Sequence, residues 1–112
     1  MHEVGIARSI LDSVASAARK NGADAVKSVK LQVGSLSGVE ASSLQFALDA
    51  VKAGTIATGA EFIIERVPAV GVCGECGKTS TPDTFFAVCE HCGNLSLDIT
   101  AGRELKIDYI EV

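Results

Sequence analysis

Apolar residues recur at helical spacing in two stretches of the chain. The first runs from residue 4 to residue 20 and stops before Gly22, a residue that favours the left-handed end of a helix. The second follows Ser37-Gly38-Val39-Glu40, which has the S-x-x-E form of a capping box, and ends near Gly54. The pattern therefore predicts two amphipathic helices, with Glu40 as the capping-box acid of the second.

Apolar and polar residues alternate at 28–34 and 105–109, which predicts two strands, and the apolar run Phe62-Ile63-Ile64 before Pro68 predicts another. The strand at 105–109 must cover its apolar face, and the sheet begun by the other two is its best partner because isolated strands are unstable. We therefore expect an α+β fold with two helices on a three-stranded sheet. Residues 1–68 plus 100–112 would form this domain, and residues 69–99 would form a small inserted lobe.

The inserted lobe contains all four cysteines, as two C-x-x-C pairs separated by twelve residues and each followed by a glycine. A C-x-x-C turn places two sulfurs on one edge of a tetrahedron, and a second turn supplies the opposite edge, which is the geometry that Zn²⁺ prefers. Four ligands leave no open position to activate a water molecule, so the ion would be structural. The predicted zinc ligands are Cys73, Cys76, Cys89 and Cys92.

Other uses of these cysteines are weaker interpretations. A thioredoxin-like redox site needs a single C-x-x-C at a strand-to-helix junction, and two disulfides would need an oxidising compartment. An iron–sulfur cluster also accepts four cysteines, and the spacing alone does not exclude it. His91 lies between Cys89 and Cys92; it is a fifth candidate ligand, but an exposed residue without a metal role is favoured because four sulfurs fill the site.

The charge balance argues against a nucleic-acid partner. The 112 residues carry a formal net charge of −4, and Lys78 is the only basic residue between Cys73 and Cys92. No apolar run is long enough for a membrane span, and the N-terminal sequence lacks the features of a signal peptide, so we expect a cytoplasmic protein that binds no membrane.

Two other functional classes are considered on the residues alone. A zinc-ribbon adaptor or binding module is the main alternative, although its ribbon would lack the basic surface that nucleic acid requires. An enzyme is disfavoured because the chain has only two histidines, a closed zinc site, and neither a phosphate-binding loop nor a nucleophile elbow.

The N-terminus offers a second metal site. The amine of Met1, the backbone amide and imidazole of His2, and the amide of Glu3 can supply four nitrogens in a plane, which suits Ni²⁺ or Cu²⁺ better than Zn²⁺. The same residues also have ordinary explanations. A histidine at position 2 needs no metal, and an acidic residue such as Glu3 is favourable near the start of a helix.

Several of these motifs together resemble the HypA/HybF family, the nickel-incorporation proteins of nickel–iron hydrogenase maturation. The resemblance covers the whole chain. It rests on Met1-His2-Glu3, on Gly34-Ser35-Leu36-Ser37-Gly38-Val39-Glu40, on the two cysteine pairs and on Gly102-Arg103-Glu104-Leu105.

The resemblance implies a nickel metallochaperone that is not an enzyme. It implies a nickel-binding domain with an inserted zinc lobe, Ni²⁺ held through His2 with backbone atoms of Met1 and Glu3, and an additional, weaker expectation for Glu40. The implied partners are the GTPase HypB and the hydrogenase large subunit, and some members support urease. A homodimer, domain-swapped or not, stays open. One departure from the family is that His91 lies inside a cysteine pair, whereas some relatives have flanking histidines.

Overall fold

The computed structural model describes residues 3–82 and 88–112. Its helices and strands follow one another in the order α1 (Glu3–Lys20), β1 (Ser28–Gly34), α2 (Ala41–Val51), β2 (Glu61–Val67), β3 (Val70–Cys73), β4 (Thr79–Ser80), β5 (Leu97–Ala101) and β6 (Leu105–Glu111).

The first sheet has three strands in the order β2-β1-β6. Strand β1 is parallel to β2 and antiparallel to β6, so α2 forms the crossover between two parallel strands. An irregularity between Lys30 and Leu31 interrupts the pairing with β6. The predicted α+β fold with two helices and a three-stranded sheet is confirmed.

Buried and half-buried residues alternate along β1, so one face of this sheet is buried under the helices. Val29, Leu31 and Val33 are almost fully buried and belong to a single apolar core. The core also contains side chains from both helices: Ala7, Leu11, Val14, Ala18, Leu44, Ala47 and Leu48. The residues between them in β1, such as Lys30 and Gln32, are only half-buried and face away from the helices.

The helices α1 and α2 run in the same direction. Residues 21–27 link α1 to β1, and residues 35–40 link β1 to α2; both connections are short, so each helix is antiparallel to β1. The lining of the groove between α1 and β6 agrees, because Gly5 lies near Leu105 and Asn21 lies near Ile110. The first residues of both helices therefore lie at the carboxyl end of β1.

The second sheet, in the order β4-β3-β5, leaves the first sheet from that same end. Strand β2 ends at Val67, and β3 begins three residues later. This second sheet reaches Ala101, close to the predicted end of the lobe at residue 99, and the division of the chain into domains stays a prediction. The chain as a whole is elongated, with extents of 53 × 25 × 16 Å.

Candidate metal centres

The four cysteine sulfurs converge at the tip of the second sheet. Their Sγ atoms all lie within 4.8 Å of one another. The Sγ atoms of Cys73 and Cys92 are 3.6 Å apart, as are those of Cys76 and Cys89. Sulfurs at the corners of a tetrahedron around zinc, about 2.3 Å from the ion, are about 3.8 Å apart. The cluster therefore has the size and donor set of a site for one tetrahedral metal ion.

Each cysteine pair is built in the same way. In the first pair Gly77 N donates to Cys73 O, and Cys73 N donates to Lys78 O, both at 3.0 Å. In the second pair Gly93 N donates to Cys89 O at 3.0 Å, and the N–H of Cys89 is likewise satisfied. Both glycines have φ of +75°, a conformation that favours glycine, which explains the glycine after each C-x-x-C.

Backbone amides stabilise the thiolate form of the first cysteine of each pair. The amides of Cys76 and Glu75 donate to Cys73 Sγ and lower the pKa of that thiol. The amides of His91 and Cys92 lower the pKa of Cys89 to about 6. Because a metal binds the thiolate, these amides prepare both sulfurs for coordination.

The geometry bears on the other interpretations of the cysteines. All four are free thiols, and the closest sulfurs are much farther apart than the about 2.05 Å of a disulfide bond. A cluster this small holds one ion between its sulfurs and has no room for several irons. Cys73 and Cys89 are buried whereas Cys76 and Cys92 are exposed, so the site lies at the surface of the lobe.

The His91 side chain makes a hydrogen bond within the lobe and does not contact the sulfur cluster. Its Nε2 lies 3.0 Å from Thr79 O, and its imidazole nitrogens do not join the group of four sulfurs. The histidine is exposed, as the sequence interpretation favoured. It connects the second cysteine pair to β4.

A second set of hydrogen bonds across the lobe, made by Glu90, was not predicted from the sequence. Glu90 Oε1 accepts hydrogen bonds from Thr81 N at 3.0 Å and from Thr81 Oγ1 at 3.3 Å. In return, Glu90 N donates to the buried Ser80 Oγ at 3.0 Å. From the sequence alone, an acidic residue between two cysteines is interpreted as a solvated charge. The fold places Glu90 beside β4.

Glu40 caps α2 directly, which corrects the predicted capping box. The helix begins at Ala41, so Glu40 is the N-cap residue and not the third residue of the helix. Its Oε2 accepts from Ser43 N at 2.7 Å and from Ser42 Oγ at 2.6 Å. The prediction was wrong because the helix starts three residues after the position that Ser37 would cap, and Ser37 Oγ accepts from Val39 N instead.

The hydrogen bonds at this cap keep the carboxylate ionised. The bond from the Ser42 side chain, followed by that from the Ser43 amide, lowers the pKa of Glu40 to about 2. Glu40 is exposed, and its Oε1 accepts no hydrogen bond from the residues that the structure describes. A negative oxygen therefore faces solvent at the start of α2.

The predicted nickel ligands are only partly within the described residues. Met1 and His2 lie outside them. Glu3 is the first residue of α1 and is half-buried. Because α1 and α2 begin at the same end of the sheet, Glu3 and Glu40 lie at that end, which is also the end from which the cysteine lobe extends.

Comparison with protein families identifies one match over the whole chain. The family model described as hydrogenase/urease nickel incorporation, metallochaperone, hypA matches residues 1–112. Two curated relatives are named hydrogenase maturation factor HypA. The one from Rhizobium leguminosarum bv. viciae is 44% identical over 112 residues, covering 100% of this chain and 99% of the relative. The one from Chlorobaculum parvum is 42% identical with the same coverage.

Solved structures share the fold. The solution structure of the Ni metallochaperone HypA from Helicobacter pylori aligns with a TM-score of 0.71 at 24% identity, covering 100% of this chain and 97% of that chain. A second solution structure, of HypA protein, aligns with a TM-score of 0.72 at 24% identity, covering 100% and 96%. At this identity the likeness is one of fold. Among the described residues, no helix is long and apolar enough to cross a lipid bilayer.

Proposed function

Because this chain belongs to the HypA family of hydrogenase and urease nickel-incorporation metallochaperones, whose members are maturation factors and not enzymes, we propose that it binds Ni²⁺ through its N-terminus and delivers the ion to the large subunit of a nickel–iron hydrogenase. Nickel is the cargo in this proposal, and zinc is the resident ion of the lobe.

The observation that carries the proposal is how the two histidines are used. The chain has only His2 and His91, and His91 is hydrogen-bonded to Thr79 in the lobe. The four sulfurs already make a complete tetrahedral donor set. A nitrogen-rich site for a cargo ion is therefore left to His2, at the other end of the sequence.

The proposed nickel ligands are the amine of Met1, the amide and imidazole nitrogens of His2 and the amide of Glu3. Four nitrogens in a plane suit Ni²⁺, and a single side-chain ligand lets the ion be surrendered one bond at a time. Glu40 is an additional candidate, because its ionised carboxylate lies at the end of the sheet where α1 begins.

The zinc ion is proposed to be structural. Cys73, Cys76, Cys89 and Cys92 would hold it, and when bound it would supply cross-linking and no catalysis, because the four sulfurs leave no open position. The three strands of the lobe have only four, two and five residues, so the described part of the lobe has little apolar core and is proposed to depend on the metal.

The proposed partners are the GTPase HypB and the hydrogenase large subunit, in the cytoplasm. The lobe is acidic around the metal, with Glu75 and Glu90 beside the cysteines, and no role with nucleic acid is proposed. With zinc bound, the cysteine lobe would fix where partner surfaces lie relative to the nickel end of the domain.

A transfer experiment tests this function. The untagged, zinc-containing protein is loaded with radioactive nickel and mixed with the nickel-free hydrogenase large subunit, with HypB and GTP, and nickel in the large subunit is counted. We expect transfer from the native chain and from His91→Ala, and loss of transfer from His2→Ala. Transfer that is equal in all three proteins contradicts the N-terminal site. Absence of transfer from the native chain contradicts delivery and favours an adaptor role.

A further inference from the structure

Leu95, at the cysteine end of the lobe, is 78% exposed, as much as any other large apolar residue in the described part of the chain. Two residues later, Leu97 is half-buried and packs on Gly71, where an added Cβ would lie 2.5 Å from Leu97 Cγ. Leu97 therefore helps to hold the lobe together, whereas Leu95 contributes little to its core.

The backbone on either side of Leu95 is held by hydrogen bonds to both cysteine pairs. Asn94 O accepts from Cys89 N at 2.9 Å, and Ser96 O accepts from Gly74 N at 2.8 Å. Asn94 Oδ1 also accepts from Ser96 N at 2.8 Å, which closes the turn that contains Leu95. A partner that buries this leucine therefore does not first have to order the backbone, which lowers the entropic cost of binding.

Two acidic residues flank Leu95. Glu75 follows Gly74, and Glu90 follows Cys89, so each acidic residue is next to one that donates a hydrogen bond to the loop of Leu95. Both acidic residues are exposed. The exposed leucine thus lies between two negative charges, one from each cysteine pair.

The lobe as a whole is acidic. Lys78 is the only lysine or arginine in its described part, against three acidic residues, Glu75, Glu90 and Asp98. With zinc bound, the sulfur cluster adds two further negative charges, because four thiolates outweigh one Zn²⁺. The potential around Leu95 therefore attracts a basic surface and repels nucleic acid and anionic lipid.

We propose that the lobe tip, formed by Leu95 between Glu75 and Glu90, docks on the protein that receives nickel, where the leucine enters an apolar pocket bordered by lysine or arginine side chains. The identity of this partner rests on the proposed delivery function. The lobe extends from the end of the first sheet where α1 begins, so a protein held by the lobe lies towards the nickel end of the domain. An apolar anchor within a polar border is the usual energetic centre of a protein interface.

Binding to the nickel-free hydrogenase large subunit tests the contact, measured by biolayer interferometry with the full-length, untagged, zinc-containing chain. We expect Leu95→Ala to raise the Kd about tenfold or more, the usual effect of truncating a buried anchor. Phe46→Ala is the matched control: Phe46, on α2, is also 78% exposed, and this variant should bind like the native chain. Zinc content and circular dichroism check that each variant is folded.

Charge changes test the acidic border of the leucine. Glu75→Lys should raise the Kd about three- to tenfold at low ionic strength, with less effect at high salt, because it replaces an exposed attraction with a repulsion. Glu90→Gln removes the other charge but keeps an oxygen that can accept from Thr81 N, so we expect a smaller increase. Glu61→Lys is the control, because it reverses an exposed charge on β2 of the first sheet, and its Kd should match that of the native chain.

The outcomes separate this contact from delivery itself. If Leu95→Ala binds the large subunit as tightly as the native chain does, the docking proposal is overturned, whether or not nickel is transferred. Binding that needs Leu95 but is followed by no nickel transfer supports docking and contradicts delivery. A native chain that does not bind the large subunit overturns the docking proposal. So does a Leu95→Ala variant that loses binding to HypB alone, a result that would assign the lobe tip to the GTPase.

Discussion

Gly34, the last residue of β1, lies against Gly102 so closely that a Cβ added to Gly34 would overlap the carbonyl oxygen of Gly102. That same oxygen accepts a hydrogen bond from Leu36 N at 2.7 Å. Gly102 in turn lies against Ala69, with φ of +112° and only 2.5 Å between an added Cβ and Ala69 Cα. The chain entering the cysteine lobe and the chain leaving it are thus packed together on the end of β1.

This close packing predicts that Gly34→Ala destabilises the protein. Alanine is normally the better residue in regular structure, but here its methyl group meets backbone atoms that have no rotamer to change. We expect a loss of about 1–3 kcal/mol in the free energy of unfolding, the usual cost of overpacking. Urea denaturation measures it.

Gly59→Ala is the control for this substitution, because an added Cβ there meets nothing within 4 Å and its φ is not positive. It should unfold like the native chain. Equal unfolding midpoints for the two variants would mean that the packing of Gly34 against Gly102 contributes nothing to stability.

The second prediction concerns the zinc ligands. Cys76→Ser removes one of four sulfurs, so we expect zinc to fall well below one ion per chain in metal analysis and amide-exchange protection to be lost in β3 and β5. Ser96→Ala, at an exposed position of the same lobe, should keep its zinc. Stoichiometric zinc in Cys76→Ser would count against coordination by four cysteines.

His91→Ala is predicted to retain one zinc per chain. The imidazole contacts Thr79 O and not the sulfur cluster, so its loss removes a hydrogen bond between the second cysteine pair and β4. We expect the zinc content to be unchanged and the free energy of unfolding to fall by about 1 kcal/mol or less. Zinc loss comparable to that of a cysteine variant would make His91 a ligand.

A pH dependence is predicted for Glu40. Its pKa is lowered from 4.5 to about 2 in the folded chain, so the ionised cap stabilises the fold above about pH 4.5 and loses its effect as the pH falls towards 2. The difference in unfolding free energy between the native chain and Glu40→Gln should therefore be greatest near neutral pH and shrink on acidification. Asp24→Asn, in an exposed loop, controls for the loss of one surface charge. A difference that is constant with pH contradicts the ionised cap.

The elements of this fold could be predicted from the sequence wherever one periodicity dominates. Helical spacing of apolar residues predicted both helices, and alternation predicted strands such as β1. The doubled C-x-x-C predicted the compact sulfur cluster. In each case the pattern is local, so the sequence within the element carries the information.

Features that depend on contacts between distant segments could not be predicted. The irregularity of β6 needs β1 beside it, and the contact between Gly34 and Gly102 joins residues far apart in sequence. Glu40 was placed in the wrong position of its cap because serine is a preferred N-cap residue and a glutamate three residues later completes a capping box, whereas the helix starts at Ala41.

Nickel binding is predicted to weaken on acidification. An imidazole must be neutral to bind a metal, and its ordinary pKa is about 6.5, so the affinity of an N-terminal site should fall as the pH drops below about 6.5. Calorimetric titrations at several pH values measure the effect. An affinity that is flat from about pH 5 to pH 8 contradicts a site that depends on His2.

The most direct measurement of the central claim is calorimetric titration of Ni²⁺ into the untagged, zinc-containing protein, with His2→Ala and His91→Ala alongside. The two variants make the same side-chain change at the only two histidines of the chain. The account predicts one nickel per chain in the native protein and in His91→Ala, and loss of that site in His2→Ala. Unchanged nickel binding by His2→Ala would contradict it.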